Sequence, residues 1–287
     1  MSAKAASTPL LPFMRLDPSA PPLSTLPNNA ALSFLFFTLV SLLAYHLPYA
    51  RLLEAKHSKL LRVQFTNRVA AFVHAVAVVL LGSRVYLDAL PQAYRTMSML
   101  VSAASILTHD VAFGYFLYDF VFMALFEPNW LYFCHHIGSL GCIGITRLVG
   151  SAHWITATAI LFGELTNPLQ LPWEFARIAS KKLAEKKEAA MAKSLKATYE
   201  ALSLPYTVLY VLCRIFYAPG FMVRHAYVWY TRYGFRAGGA TPLDFVPPQP
   251  YAAFVYTMVF ITIAVSLQWA QGIVKGYLKY SAKKRKS

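Results

Sequence analysis

The sequence predicts an all-α membrane protein, a helical bundle or barrel of about seven transmembrane spans. Three observations carry that expectation: the composition, the length of the apolar runs, and the placement of the basic residues. Hydrophobic residues make up 57% of the 287 and charged residues only 14%. A soluble domain carries about 25% charge, so this chain has too little polar surface to face water and needs lipid as its solvent. The net charge of +15 does not point to nucleic acid. The basic residues sit in short links between apolar runs, and no soluble domain is left to carry a basic binding face.

A helix needs about 20 apolar residues to cross roughly 30 Å of hydrocarbon. Seven runs meet that length: 30–50, 69–90, 104–126, 130–149, 152–173, 199–218 and 251–272. The stretch 97–108 is also apolar and makes the start of the third span the least defined, with a separate turn as the alternative. The fourth and fifth runs are separated by so short a link that they must pack as an antiparallel hairpin. Residues 1–29, rich in Pro, Ser and Ala, read as a disordered tail. Residues 30–61 supply the first span, a retained anchor rather than a cleaved signal, and a basic link. Residues 62–280 form the main domain, and 281–287 a basic tail. Cys134, Cys142 and Cys213 all lie in apolar runs, so they offer neither a disulfide framework nor a zinc site.

Orientation follows from the links. Arg51, Lys56, Lys59, Arg62 and Arg68 lie between the first two spans; Arg177, Lys181, Lys182, Lys186, Lys187, Lys193 and Lys196 lie between the fifth and sixth. Lys275, Lys279 and Lys283–Lys286 follow the seventh. With seven spans these groups share one side, which the positive-inside rule makes cytosolic. The C-terminus is then cytosolic, against the mild counter-signal of Arg224, Arg232 and Arg236 in the loop 219–250. The ending Lys284–Arg285–Lys286–Ser287 is close to a dibasic endoplasmic-reticulum retrieval signal, and equally reads as a charge cluster facing anionic lipid.

An ionisable group inside a span costs roughly 2.5–3.5 kcal/mol and marks a functional site by default. His74, Asp119, His135, His136, Glu164 and Arg214 are such groups. At 1.5 Å per residue, Asp119 lies about 10 Å from the cytosolic end of its span, His135 and His136 about 8–9 Å, Glu164 about 13 Å and His74 about 8 Å. Four helices thus bring two carboxylates and three imidazoles to one layer. Ionised groups facing lipid are too costly, so they are expected to converge inward. An imidazole beside a carboxylate is a base or nucleophile with a fixed tautomer. His135, His136, Asp119 and Glu164 are the catalytic candidates. Arg214 falls in the opposite half of its span and is expected to be structural or to meet lipid headgroups. Gly138, Ser139, Gly141, Cys142 and Gly144 suit close helix packing. The eight histidines form no H-x-x-H-H box of a di-iron enzyme, and no zinc spacing, Walker loop or nucleophile elbow is present. No metal is expected.

Six segments in order resemble the TLC domain family, which includes ceramide synthases and translocating-chain-associated membrane proteins. They are FTNRVAAFVHA (65–75), GYFLYDF (114–120), FCHHIGSLG (133–141), GELTNPLQLPWEF (163–175), LCRIFYAPG (212–220) and LQWAQGIVKG (267–276). The resemblance implies a TLC-type helical barrel in the endoplasmic reticulum, open to the cytosol. It further implies a role in membrane lipid homeostasis, with acyl-CoA as co-substrate, membrane lipids as partners, and a homodimer as one assembly open to the chain. In ceramide synthases the paired histidines lie where acyl chains pass from acyl-CoA to a sphingoid amine; they match His135 and His136. His74, Asn67, Arg68, Tyr115, Tyr118, Thr166 and Asn167 fall in the matching segments as substrate-binding candidates. The ceramide synthase pattern H-D-x-S-D meets Gly163–Glu164–Leu165–Thr166–Asn167 here, keeping a carboxylate and a hydroxyl but losing the histidine and final aspartate. That departure speaks against a sphingoid substrate, and against carrying over the catalysis unchanged. A lipid-binding regulator or trafficking factor on the same fold is the alternative reading.

Overall fold

In the computed structural model, residues 26–56, 59–89, 102–149, 153–185, 189–233 and 249–284 are described. Expectations that concern residues 1–25, 90–101, Lys186, Lys187, Arg236 and Arg285–Ser287 lie outside them. Every described element is helical: α1 (Leu26–Tyr45), α2 (Pro48–Lys56), α3 (Lys59–Ala89), α4 (Ala103–Phe126), α5 (Trp130–Val149), α6 (His153–Glu164), α7 (Asn167–Glu185), α8 (Ala189–Tyr210), a π-helical segment (Val211–Tyr217), α9 (Ala218–Tyr233) and α10 (Gln249–Lys284).

Local chemistry sets several boundaries. Ser102 and Ser105 form a reciprocal capping box: Ser105 N–H donates to Ser102 Oγ at 3.1 Å, and Ser102 N–H to Ser105 Oγ at 2.9 Å. This fixes the start of α4, the boundary the apolar pattern left least defined. Asn129 accepts from the Leu131 amide at 3.0 Å and so caps α5. Helix α1 begins at Leu26, four residues before the run that predicted it. The π-helical segment joins α8 and α9 without a break, so residues 219–233, expected as loop, are helical.

The exterior is what lipid requires. Leu32, Leu35, Leu39 and Leu43 of α1, with Leu80, Leu125 and Phe216, turn outward. Five stretches are long and apolar enough to cross a membrane: Leu26–Tyr45, Lys59–Asp88, Ala103–Phe126, Ala189–Tyr227 and Ala253–Leu278. They correspond to five of the seven expected spans. The other two differ for a physical reason. Helix α5 carries His135, His136 and Arg147 in its twenty residues. The expected fifth helix over 152–173 is broken: α6 ends at Glu164 and α7 starts at Asn167. Thr166 O accepts the first amides of α7, from Leu169 at 3.2 Å and Gln170 at 3.0 Å, and Pro168 suits a first helical turn.

Helix α3 is central, packing on α1, α4, α6 and α7, while α10 closes the bundle against α5 and the α8–α9 rod. Two glycines of α5 permit close packing as expected, since a Cβ would lie 3.3 Å from Phe254 at Gly141 and 3.1 Å from Phe113 at Gly144. The main core gathers Phe37, Val78, Tyr115, Phe116, Phe122 and Ile143, immediately behind a layer of polar side chains.

Candidate functional site

Asn67 and Arg68 lie in the third turn of α3, Asp119 two turns before the end of α4, and His135 and His136 in the second turn of α5. Glu164 is the last residue of α6 and Asn167 the first of α7. All seven line one chamber, together with Tyr115, Tyr132, Gln170, Glu174, Arg214 and Trp269. The chamber sits near the end of the bundle that carries the basic links.

Consecutive residues of a helix point about 100° apart, so the paired histidines cannot share one task. His136 turns to α4, where its Nε2 lies 2.8 Å from Asp119 Oδ2, while its Nδ1 lies 2.9 Å from the Tyr132 carbonyl one turn back. Asn67 Nδ2 donates to the other oxygen of Asp119 at 2.9 Å. The carbonyl can only accept, so His136 Nδ1 carries a proton. Both nitrogens of this ring are therefore engaged. His135 turns toward α10, with its ring centroid 5.7 Å from that of Trp269, and its Nδ1 is buried without a hydrogen-bond partner among the described residues.

The second carboxylate is held separately. Asn167 Nδ2 donates to Glu164 Oε2 at 2.6 Å, and Arg214 Nη2 donates to Asn167 Oδ1 at 3.4 Å. Each buried carboxylate thus has a donor, which burial demands. Arg68 stands between Glu127 at 3.7 Å and Glu174 at 3.6 Å, tying α3 to the end of α4 and to α7.

Among the remaining expected residues, His74 is fully buried, stacked on Tyr115 with centroids 3.7 Å apart and planes at 9°. Its Nε2 is 3.8 Å from Glu164 Oε2, beyond hydrogen-bond reach. Tyr118 packs on Phe34 and Phe122. Thr166 is fully buried at the helix break. These three support the chamber from behind rather than line it.

Three further cavities border the chamber and share lining residues with it. Phe116, His135, Glu164 and Arg214 also line an apolar pocket of about 100 Å³ between α5, α6 and α10, floored by Met222 and Met258. Tyr132, Gln170, Glu174 and Trp269 also line a cavity of about 380 Å³ between α7, α8 and α10. Asn67, Arg68, Asp119, Tyr132 and Glu174 also line one of about 370 Å³ at the ends of α3, α4 and α5.

Arg214 takes the structural of its two expected roles, bonded to Asn167, rather than the headgroup contact. It is buried at 6% exposure and borders both the polar chamber and the apolar pocket. The expected span 199–218 belongs to a rod running from Ala189 to Tyr233, so the arginine sits at mid-length, on a π-helical turn that alters which side faces inward. Sequence reasoning also missed a second polar cluster toward the other end. Arg147 Nε donates to Asp110 Oδ1 at 2.7 Å, Asn29 Nδ2 to Asp110 Oδ2 at 2.6 Å, and His109 and His153 pack with centroids 4.8 Å apart. The signal was present: Asp110 and Arg147 are charges inside expected spans. No group of three or more His, Cys, Asp or Glu side chains arranged to hold a metal occurs among the described residues.

Neither comparison with curated proteins nor with solved structures returned a match. Against family models, residues 64–275 match the TLC domain, a stretch that contains every chamber residue named above. The chain is an integral membrane protein of the TLC domain family, with an all-α bundle.

Proposed function

We propose that this protein transfers an acyl group from acyl-CoA to an amine or hydroxyl of a membrane lipid, at the chamber around His135. Membership of the TLC family supports a lipid-related role. The observation that carries the finer reading is the position of His135, whose buried Nδ1 has no partner among the described residues, at the junction of a polar chamber and an apolar pocket. A thioester needs that junction, with the carbonyl among polar groups and the chain among apolar ones.

In this reading His135 takes the proton from the acceptor amine or hydroxyl as its N or O attacks the thioester carbonyl. The carbon–sulfur bond breaks, and His135 returns the proton to the departing thiolate of coenzyme A. His136, held by Asp119 and Tyr132, fixes α5 against α4 and so positions the His135 beside it. Arg214 and Asn167 hold Glu164 and shape the side from which the acceptor approaches. The loss of the ceramide synthase histidine at Gly163 supports an acceptor other than a sphingoid base. The basic links face the cytosol, where acyl-CoA is found, and the membrane is that of the endoplasmic reticulum.

The test supplies microsomes containing the protein with labelled acyl-CoA and sphingoid, lysolipid and amine acceptors. A labelled lipid that forms with wild type, and falls about 10²–10⁴-fold with His135→Ala, is the expected result. No product with any acceptor would favour a lipid-binding regulator that uses the cavity without turnover.

A further inference from the structure

The cavity between α7, α8 and α10 is larger than the chamber it borders, and the reaction described above does not use its outer part. One wall is aromatic. Trp173 lies 4.8 Å from Tyr206 and 5.5 Å from Tyr199 between ring centroids, and its Nε1 donates to Ser203 Oγ at 2.9 Å, which fixes the indole plane. Arg177 lies over the Trp173 face at 5.1 Å. Its Nε is buried without a hydrogen-bond partner among the described residues, an arrangement that calls for an acceptor from outside the chain. The opposite wall is bare: Gly272 and Gly276, one turn apart on α10, line the cavity, and a Cβ at either would meet nothing within 4 Å. From Tyr277 to Trp269 the passage runs about 12 Å along α10 at 1.5 Å per residue, and it ends 5.7 Å from the His135 ring.

We propose that this passage is the binding site for the nucleotide end of the coenzyme A thioester, its purine against the half-buried Trp173 and Tyr199 rings, a phosphate on Arg177, and the glycine side left open for the linear pantetheine arm. The proposal rests on the acyl-CoA reading of the chamber and adds to it a site with its own residues. An aromatic wall binds a purine by stacking, and the planar guanidinium fork matches the oxygens of a phosphate. A cationic headgroup fits the passage poorly, because the Arg177 guanidinium beside Trp173 would repel it. Any side chain beyond Cβ at Gly272 or Gly276 would project into the path without disturbing its own helix, where leucine is a better helix former than glycine.

The experiment measures binding of radiolabelled free coenzyme A to the full-length protein in lipid nanodiscs, with an unlabelled adenine nucleotide and vesicles of anionic phospholipid as competitors. Wild type is expected to bind coenzyme A. Arg177→Gln and Gly276→Leu are expected to weaken binding about ten- to a hundredfold. Gly220→Leu, placed on α9 away from the passage at a position equally free of neighbours, is expected to bind as wild type. Displacement by the phospholipid vesicles but not by unlabelled nucleotide would assign the site to a lipid headgroup and overturn the proposal. Unchanged affinity in both passage variants, or no binding by wild type, would overturn it as well. The acyl-transfer reading fails separately: wild type and His135→Ala would both bind coenzyme A while neither makes a labelled lipid.

Discussion

Arg147 and Asp110 are each enclosed to within 1% of complete burial, and the guanidinium Nε meets the carboxylate at 2.7 Å. Two buried charges tolerate each other's company but not each other's absence. Removing one partner of such a pair costs about 3–5 kcal/mol, whereas replacing both with apolar groups is close to neutral. Arg147→Met should therefore lower the unfolding free energy in detergent by about 3–5 kcal/mol, and Arg147→Met with Asp110→Leu should recover most of it. A loss in the double variant equal to the sum of the losses in Arg147→Met and Asp110→Leu alone would mean that the pair carries no coupling. The contrast with the chamber shows what a single chain can reveal. Asp119, His136 and Glu164 were legible because charge stands out against apolar neighbours. Which histidine is engaged was not, since that depends on the Tyr132 carbonyl and the Asp119 carboxylate arriving at opposite edges of one ring.

At the scale of elements, α1 lies outside the residues matched to the family yet is fitted into the bundle. A Cβ on Gly114 of α4 would stand 2.5 Å from the Ala30 carbonyl oxygen, and Ser33 Oγ donates to the Val111 carbonyl at 3.0 Å across the same contact. Phe37 then reaches the edges of both His74 and Tyr115, at 5.6 and 5.1 Å. Gly114→Leu should push α1 off α4 at a cost of about 1–3 kcal/mol or more. It should also expose the 26–45 segment to limited proteolysis in detergent; an unaltered cleavage pattern and melting temperature would show the contact to be dispensable. The break between α6 and α7 belongs to the same scale. The apolar run 152–173 hid it, although Thr166–Asn167–Pro168 is a helix-start signature in its own right. Length outweighed punctuation, and the punctuation was correct. The π-helical turn around Arg214 left no comparable mark, because extra residues in a helical turn do not change apolar composition.

For the whole molecule, the outward leucines, the five stretches able to cross a membrane and the family match agree on an integral membrane protein. The basic links at one end predict that this end faces the cytosol. An epitope after Lys284 should be accessible once the plasma membrane alone is permeabilised, and staining only after full permeabilisation would reverse the orientation. The polar mouths and the apolar pocket then lie in the order a cytosolic thioester would meet them. The site is enclosed by α3 to α7, the π-helical segment and α10, so its groups are held before any substrate arrives, the condition under which fixed dipoles act most strongly. The most direct test of this account is a single-turnover measurement with the purified, reconstituted protein. Labelled acyl-CoA and an accepting lipid are mixed, and the rate of lipid acylation is compared between wild type and His135→Ala of equal melting temperature. The account predicts a loss of about 10²–10⁴-fold; equal rates in the two proteins would contradict it.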